Sequence, residues 1–374
     1  MTIVFLLSAL FIVYTYALFP LLLHIKARKS KPLEAATPTH WPTVSIVIAA
    51  HNEAKSVPGK IASLENLDYP PELVEWIIVS DGSTDDTYPL LAKAFENYPQ
   101  RHVKHLETSL GKCGALNKGV AMATNDIILF MDARQPVSTN CIKQLVPYLA
   151  DEGVGAVSGE LVLSENESLE AGNFGLYWRY EKWIRDNESR LFSTTGATGA
   201  LYAVRRADFT PNAIGTLLDD FNTPAELLRQ GKRTLFVPGA YAFDTAADDI
   251  KQEFRRKVRN LAGNWQSFQT HSWLFNPKLN PVWWQFMSHK FFRLLVPYAL
   301  ILAFVSAALG QGLFMNAMLI VQILFYGAAA ASYANLPGTG NKVFNMIKIF
   351  IQLNAAAFVA TARFFTSKKA ISWR

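Results

Sequence analysis

Acidic residues follow three apolar runs of the sequence, close to the point where each run ends. The runs and their acids are "VSIVIAA" (44–50) with Glu53, "VEWIIVS" (74–80) with Asp81, and "DIILFMD" (126–132) with Asp132. In open parallel sheets, ligands bind beyond the carboxyl ends of the strands, so carboxylates at these positions could bind polar groups of a substrate. The alternative is that each aspartate caps the helix or turn that follows it.

The three runs are short and rich in isoleucine and valine, which is typical of strands that are buried on both faces and therefore parallel. The segments between them have the composition of helices, at about 54–67, 84–97 and 113–123. Because strands and helices alternate, the sequence predicts a doubly wound α/β sheet. The carboxyl ends of parallel strands share one edge, so the three acids should lie close together.

The composition restricts the classes of protein to which the chain can belong. The 374 residues carry a formal charge of +6, half of them are apolar, and only Cys113 and Cys141 are cysteines. Two cysteines exclude a disulfide-rich scaffold, and no Cys/His spacing matches a zinc site. The run "LGKCGALNKG" lacks the pattern of a Walker phosphate loop, and no G-x-G-x-x-G follows the first strand. Positive charge clusters beside apolar segments, which argues against nucleic acid as a partner.

The first segment of the chain is predicted to be a membrane anchor. Residues 3–23 carry no charge, and about 20 apolar residues suffice to span a bilayer. The basic run "HIKARKSK" follows at once, which places the next residues on the cytoplasmic side. The segment lacks a basic start and a small-residue cleavage site, so we expect a retained anchor at 1–25, followed by a basic linker at 26–42.

Three more apolar stretches lie at about 291–310, 312–334 and 343–365, and the first two are predicted to span the membrane. The third is interrupted by Lys348, Gln352, Asn354 and Arg363. It is either a third span or a segment that is interfacial, re-entrant or packed inside the protein. We therefore expect two to three membrane helices within 291–365, an interfacial segment at 271–290 before them, and a basic tail at 366–374.

Seven further blocks occur in a recognisable order along the chain. They are "VSIVIAAHNEA", "IIVSDGSTDDT", "GKCGALNKG", "IILFMDARQ", "GATGALYAVRR", "LLDDFNTPAELLRQGKR" and "EFRRKVRNLAGNWQ". In this order they resemble the family 2 glycosyltransferases, above all membrane-bound bacterial members related to the cellulose, hyaluronan and poly-N-acetylglucosamine synthases. The resemblance implies a cytoplasmic catalytic domain of the GT-A type at 43–270, in a multi-pass protein of the bacterial inner membrane.

The resemblance implies an inverting transfer of a hexose or N-acetylhexosamine from a nucleotide sugar, usually a UDP-sugar. The acceptor would be associated with the lipid bilayer, as either a lipid-linked sugar or a polysaccharide. Such a transfer needs a base near the acceptor hydroxyl and positive charge at the departing diphosphate. The alternative hypothesis is a non-catalytic membrane scaffold of the same fold.

Asp220 matches the position of the base in the family, and Asp219 precedes it in "LLDDF". Pairing of two carboxylates raises the pKa of one of them, which suits a base that works near neutral pH. The alternative is that these residues cap the helix predicted around "PAELLRQG".

Asp132 matches the first acid of the family's Asp-x-Asp motif, which implies that it holds Mg²⁺ or Mn²⁺ at the diphosphate. Arg134 stands where the second acid is expected, and this departs from the common pattern. Either the metal is held by fewer protein groups, with water and phosphate completing its shell, or Arg134 supplies positive charge directly.

Arg256 and Arg259 in "FRRKVRN" match the Gln and Arg positions of the family's Gln-x-x-Arg-Trp block, which implies contact with the donor diphosphate. Asn260 replaces the tryptophan that is typical of polymerising members, and this weakens the expectation of a long processive product. The alternative is a basic helix that lies on an anionic membrane surface.

The resemblance also implies binding roles elsewhere in the domain. Ala50, Glu53 and Asp81 would contact the nucleotide, and Asp81 would accept hydrogen bonds from the uracil or ribose. Lys112 would reach a phosphate. Gly199 lies in "GATGA" (196–200), which matches a loop near the acceptor where small residues permit close approach, and the alternative is a tight turn.

Overall fold

The computed structural model describes residues 1–164, 169–245 and 250–366, and a seven-stranded sheet forms its centre. The strands are β1 (Val44–Ala50), β2 (Val74–Asp81), β3 (Arg101–Leu106), β4 (Ile127–Asp132), β5 (Val154–Ser164), β6 (Leu201–Arg205) and β7 (Arg233–Thr245). Their order across the sheet is β3-β2-β1-β4-β6-β5-β7.

The three strands expected from the apolar runs lie together in the parallel part of the sheet. β1 pairs with β2 on one side and with β4 on the other, and β3 pairs with β2, all in parallel. β6 is antiparallel to both β4 and β5, and β7 is parallel to β5. The prediction of a mostly parallel α/β sheet is therefore confirmed, with one antiparallel strand that the apolar runs did not indicate.

The helices occupy the connections of the sheet and both ends of the chain. They are α1 (Thr2–Val13), α2 (Phe19–Ala27), α3 (Val57–Glu65), α4 (Thr87–Phe95), α5 (Gly111–Met122), α6 (Cys141–Leu145), α7 (Leu169–Leu191), α8 (Asp219–Arg229), α9 (Ile250–Thr270), α10 (Trp283–Gln285), α11 (Phe292–Leu309), α12 (Leu313–Tyr333) and α13 (Lys342–Thr366). Two π-helical segments, Tyr14–Leu18 and Phe286–Phe291, join α1 to α2 and α10 to α11.

Helices cover both faces of the sheet, which explains why its central strands are apolar along their whole length. Every residue of β1 and β2 is buried. On one face α3, α4 and α6 form an apolar cluster with the strands, and on the other face α5 and α8 do so. Burial of leucine side chains such as Leu64 of α3 and Leu116 of α5 stabilises these layers by roughly 1.5–3 kcal/mol each.

Within the described ranges, four helices are long and apolar enough to cross a membrane, namely Thr2–Ala27, Trp283–Leu309, Leu313–Tyr333 and Lys342–Thr366. The second begins at Trp283, upstream of the start that we expected near residue 291. Part of the segment 271–290 that was expected to be interfacial is therefore continuous with this helix. Residues 367–374, almost all of the expected basic tail, lie outside the described residues.

α13 is a continuous helix of 25 residues through the stretch whose placement the sequence left open. Its polar residues Lys348, Gln352 and Asn354 are no more than 7% exposed. α9 packs along α13 through a contact rich in alanine. These three side chains are therefore accommodated inside the protein, whereas Arg363 near the end of the helix is exposed. The helix has the length of a span.

Candidate active site

The carboxyl ends of β1, β2 and β4 lie at one edge of the sheet. Ala49 of β1 is in register with Asp132 of β4, and the next residue, Ala50, is in register with Ser80 of β2. Ala50 is buried at the end of its strand. Asp132 and Asp81 therefore end the two strands that flank β1, at the same edge of the sheet, as the alternation of strands and helices predicts.

Lys112 links two of the acids at this edge. It lies in the first turn of α5, and its ammonium is 2.8 Å from Oδ1 of Asp132 and 3.0 Å from Oδ1 of Asp219. Burial alone would lower the pKa of Lys112, but the charges of Asp132, Asp219 and Asp220 outweigh burial and raise this pKa above its ordinary value. The ammonium therefore stays charged and joins the acid of β4 to the acid pair of α8.

Asp219 is the more deeply buried member of the acid pair, with 3% of its surface exposed. Its Oδ2 accepts a hydrogen bond of 3.1 Å from the hydroxyl of Tyr202, while its Oδ1 faces Lys112. The N-cap of α8 is Leu218, and no side chain forms a capping hydrogen bond there. The alternative that the acid pair caps this helix is therefore wrong.

Asp220 has a raised pKa and a tightly packed neighbour. Burial, reinforced by the charge of Asp219, raises the pKa of Asp220 from 3.8 to about 6, although Lys112 opposes the rise. A Cβ atom on Gly199 would lie only 3.0 Å from Oδ2 of Asp220. Gly199 does lie in a tight turn, which the N–H of Leu201 closes on the carbonyl of Thr198 at 2.9 Å. Its φ is not positive, so the turn does not need a glycine, and the close approach to the carboxylate is what favours one here.

Asp81 lies in an environment different from that expected of a nucleotide ligand. It is fully buried, and its Oδ1 accepts a hydrogen bond of 2.7 Å from the N–H of Leu110. Its Oδ2 accepts hydrogen bonds from the N–H of Gly111 at 2.9 Å and the hydroxyl of Ser109 at 2.7 Å. These bonds stabilise the N-terminus of α5, which is not the helix that follows Asp81 in the chain, so the capping is of a different helix from the one expected. Contact with a uracil or ribose would require these bonds to be exchanged.

Glu53 and Arg134 form an ion pair at the same edge. The Nε atom of Arg134 is 2.5 Å from Oε1 of Glu53, and 63% of the Arg134 side chain is exposed. The other carboxylate oxygen of Glu53 accepts a hydrogen bond of 3.0 Å from the hydroxyl of Ser56. The Glu53 side chain is only 12% exposed, so Arg134 would meet an arriving anion with its other N–H donors while Nε stays paired with Glu53.

The two arginines of α9 differ in their surroundings. A terminal nitrogen of Arg256 is 2.7 Å from Oε2 of Glu253 on the same helix. Arg259 interacts electrostatically with Asp132 and Asp220, while burial, together with repulsion from Arg256, lowers its pKa. Arg259 therefore lies in the charge cluster at the sheet edge, which a purely membrane-surface helix would not explain.

The acids at the edge fit a divalent cation only in part. Within residues 1–164, 169–245 and 250–366, no group of three or more Asp, Glu, His or Cys side chains is arranged to hold a metal ion. The side chain of Asp132 is 34% exposed, so it can accept a further ligand. One or two carboxylates commonly hold Mg²⁺ when substrate phosphates and water supply the remaining oxygens. The residues present therefore fit a cation that is shared with a bound diphosphate.

Three side chains support this edge although the sequence did not single them out. Arg185 of α7 acts on Asp220 and lowers its pKa, against the effect of burial. Lys60 is buried, and its ammonium donates to the carbonyl of Gln135 at 2.8 Å, which holds the turn after β4. Tyr202 lies in one of the seven blocks, where the alternation of β6 could have placed it inward. Arg185 lies in α7 and Lys60 in α3, and no nearby sequence motif indicates that either residue contributes to the site.

Comparison with known proteins identifies the domain to which this edge of the sheet belongs. Residues 45–210 match the family profile described as Glycosyl transferase family 2. The chain contains a family 2 glycosyltransferase domain. The matched residues include Asp81, Lys112 and Asp132, and they end before the acid pair of α8.

Curated relatives are similar to this chain over part of their length. A beta-monoglucosyldiacylglycerol synthase of Synechocystis sp. is 36% identical over 143 residues, which are 36% of this chain and 30% of the relative. An N-acetylglucosaminyltransferase of Rhizobium meliloti is 25% identical over 254 residues, which are 61% of this chain and 58% of the relative. The chain thus spans less than two thirds of either relative.

A solved structure shares its fold with this protein along nearly the whole chain. It is a mannosyltransferase from Pyrobaculum calidifontis in complex with GDP-Man and Mn²⁺. The two are 22% identical, with a TM-score of 0.75 over 98% of this chain and 100% of the other. The domain therefore has a GT-A-type fold, and the four long apolar helices are those of a membrane protein.

Proposed function

We propose that the protein transfers a sugar from a nucleotide sugar to a hydroxyl group of a membrane-associated acceptor, with inversion at the anomeric carbon. The donor is a UDP-sugar, and the product is a glycolipid or a polysaccharide. The names of two curated relatives, a monoglucosyldiacylglycerol synthase and an N-acetylglucosaminyltransferase, support a glucosyl or N-acetylglucosaminyl residue as the sugar. The catalytic domain would face the cytoplasm of a bacterium, since a basic run follows the first membrane helix.

Asp220 is the base in this proposal. It takes the proton of the acceptor hydroxyl as the hydroxyl oxygen bonds to the anomeric carbon. The bond from that carbon to the diphosphate oxygen breaks, and its electron pair leaves with the nucleoside diphosphate. A carboxylate with a pKa of about 6 is mostly deprotonated at neutral pH, and it is a stronger base than a carboxylate of ordinary pKa.

Lys112, Arg134 and Arg259 supply the positive charge that the departing diphosphate needs. Cations that are already in place lower the barrier most in an enclosed site, because they need no reorganisation as charge develops. Asp132 would hold Mg²⁺ or Mn²⁺, and such a cation supplies further neutralisation of the diphosphate. Arg256 would add charge at the rim of the same site.

The nucleotide is assigned to the loops that follow β1 and β2. Ala50 and Glu53 would line it, and Asp81 would act chiefly by holding the N-terminus of α5, from which Lys112 projects. Gly199 leaves room for the acceptor hydroxyl beside Asp220, because any larger residue would crowd the carboxylate.

The main support for the proposal is that the Lys112 ammonium forms ion pairs with both Asp132 and Asp219, next to Asp220. Burying carboxylates in a pair costs free energy unless other groups compensate, so a protein that only needed a scaffold would gain nothing from the arrangement. The raised pKa of Asp220 near a cation cluster is the property that acid–base chemistry requires.

The test is a donor screen on the purified protein in detergent micelles, with a membrane lipid extract as acceptor. UDP-glucose, UDP-N-acetylglucosamine and GDP-mannose are compared by release of nucleotide and by the size of the labelled product. Asp220→Asn should lower the rate by at least about 10²-fold. Asp186→Asn, which removes only a partly exposed ion pair with Arg190 of α7, should keep the rate.

Two outcomes would reject the proposal. Absence of nucleotide release from every donor would favour the non-catalytic scaffold, and equal rates for Asp220→Asn and the wild type would exclude Asp220 as the base. A ladder of products would identify a polymer, whereas a single addition would identify a glycolipid.

A further inference from the structure

Lys290 is a charged residue inside a helix that is long and apolar enough to cross a membrane. It lies in the π-helical segment Phe286–Phe291 and is partly buried. Ionisable residues inside membrane helices are costly and by default indicate a functional site. π-helical turns within α-helices also occur frequently at functional sites.

The charged neighbours of Lys290 form close ion pairs, whereas Lys290 forms none among the described residues and interacts with Glu181 and Glu188 only at longer range. His289 lies between Glu181 and Glu188 of α7, at 3.1 Å and 2.8 Å. Arg293, in the next turn, pairs with Glu181. In the part of the chain that the structure describes, no carboxylate lies within 4.0 Å of the Lys290 ammonium. Each acid of α7 already pairs with another cation, although Oε2 of Glu188 accepts no hydrogen bond. Lys290 interacts with these acids only at longer range, so its ammonium can still bind a further anion.

The segment that carries Lys290 lies against the start of α8. Phe221, the residue after Asp220, packs in one apolar cluster with Phe286 and Phe291, the two ends of the π-helical segment. The charge of Lys290 therefore acts on the carboxyl of Asp220. Lys290 is therefore near enough to Asp220 for the two charges to interact, and their neighbours Phe221, Phe286 and Phe291 pack together.

Arg185 is a second cation that acts on Asp220, and it approaches from α7. Its guanidinium donates to the hydroxyl of Thr198 at 3.0 Å and to the carbonyl of Ala197 at 3.5 Å. Both partners are neutral and belong to the loop that also contains Gly199. The guanidinium is therefore oriented by neutral groups and keeps its charge available.

These two cations belong to the membrane-facing elements of the protein. Ile184, next to Arg185, packs against Phe19 and Leu23 of the first membrane helix. Lys112 and Arg259, the cations assigned to the donor, come from elements of the glycosyltransferase domain instead. The protein thus has two separate sources of positive charge near Asp220, and only one is required by the departing diphosphate.

We propose that Arg185 and Lys290 bind a phosphate group of the acceptor, so that the sugar is transferred to a hydroxyl of an anionic, phosphate-bearing lipid. The inference rests on the proposed function and names its acceptor class. Guanidinium binds phosphate through paired N–H donors, and ammonium adds a compact charge. The lipid hydroxyl gives its proton to Asp220 and its oxygen to the anomeric carbon, the nucleoside diphosphate leaves, and the lipid phosphate is unchanged.

The test compares two lipids that both carry a hydroxyl. Wild-type protein is supplied with donor and with phosphatidylcholine vesicles that contain either phosphatidylglycerol or diacylglycerol. Oleate, an anionic lipid without phosphate, is added to the diacylglycerol vesicles so that the surface charge is equal and the proposed phosphate site stays free. We expect labelled sugar mainly on phosphatidylglycerol. Lys290→Gln should raise the KM for phosphatidylglycerol by about tenfold or more, and Lys290→Arg should restore most of the affinity.

A matched control and a free-phosphate arm complete the experiment. Lys26→Gln changes a lysine that lies over the ring of Trp284 and is not among the charges named as acting on Asp220, and it should leave the KM unchanged. Inorganic phosphate should compete with phosphatidylglycerol. If inorganic phosphate instead stimulates transfer to diacylglycerol, the site takes free phosphate and the lipid assignment is wrong.

The inference and the proposed function fail in different ways. Equal use of both lipids by the wild type, or a preference for diacylglycerol, overturns the inference while product formation upholds the function. An unchanged KM in a folded Lys290→Gln variant also overturns it. The wild-type preference remains decisive if that variant does not fold. Absence of product with every lipid and of nucleotide release from every donor would instead remove the proposed function.

Discussion

Replacing Asp219 by asparagine should move the pH dependence of the reaction to lower pH. The pKa of Asp220 is raised from 3.8 to about 6, chiefly by burial and next by the charge of Asp219. Asparagine keeps the size of the side chain and can still accept the hydrogen bond from Tyr202, but it removes that charge. Burial alone then remains, so the pKa of Asp220 should fall part of the way toward 3.8.

The magnitude follows from the ionisation of a single base. With a pKa of about 6, the wild type should keep about a tenth of its plateau kcat/KM at about pH 5, since only the deprotonated form reacts. A fall of about one unit, equal to about 1.4 kcal/mol, would leave the variant with about half of its own plateau at that pH. The plateau itself should be lower, because the base is weaker and Lys112 loses one of its two carboxylates.

The assay is the initial rate of nucleotide release at low donor concentration across the acidic range, which reports the ionisation of the free enzyme. Asp186→Asn removes a carboxylate from a partly exposed pair and should leave the acidic limb in place. An acidic limb at the same pH in Asp219→Asn and in the wild type would refute the coupling of the two acids. Retention of the wild-type limb in Asp220→Asn would refute the assignment of the base.

Three further predictions concern the same edge of the sheet. Gly199→Ala should lower kcat by about 10²-fold, because its Cβ would lie 3.0 Å from the Asp220 carboxylate. The control is Gly59→Ala, whose Cβ would meet open space and which should keep the wild-type kcat. Equal rates in the two variants would contradict this prediction. Lys112→Met should cost about 3–5 kcal/mol in the free energy of unfolding, because it leaves the buried Asp219 without its cation, and an unchanged melting temperature would argue otherwise. Asp220→Asn should have a higher melting temperature than the wild type at about pH 8, and its free energy of unfolding should be greater by an amount on the order of 1 kcal/mol. The charged form of Asp220 is disfavoured by folding, so wild-type stability falls as pH rises from 3.8 through about 6, and the difference in melting should disappear below about pH 4.

The parallel centre of the fold could be predicted from the sequence, whereas its margins could not. β1, β2 and β4 are buried on both faces, so their sequences are continuous apolar runs. β3, with the sequence "RHVKHL", lies at the edge of the sheet and is only partly buried, so it has no apolar run. The antiparallel insertion of β6 between β4 and β5 depends on pairing between distant segments, which local patterns do not encode.

At the candidate site, too, some features could be predicted from the sequence and others could not. The meeting of Asp81 and Asp132 follows from the shared direction of the strands, and it could be predicted without a structure. The position of Lys112 between Asp132 and Asp219 could not, because it depends on how α8 approaches the sheet. The contribution of Lys290 depends on the packing of a membrane helix against that domain. Contacts between separate layers of the molecule therefore account for what the sequence did not reveal.

The contact between α9 and α13 joins the helix that carries Arg259 to the last of the four long apolar helices. The indole N–H of Trp265 donates to the hydroxyl of Thr361 at 2.9 Å, and Ala262 packs against Ala360. A version of the protein trimmed of residues 342–366 would expose this apolar face of α9 to water and release the helix that carries Arg259. We therefore expect that the glycosyltransferase domain cannot be separated from α13 without loss. A chain shortened to make it soluble should bind a nucleotide-sugar donor more weakly, because Arg259 would no longer be held in place.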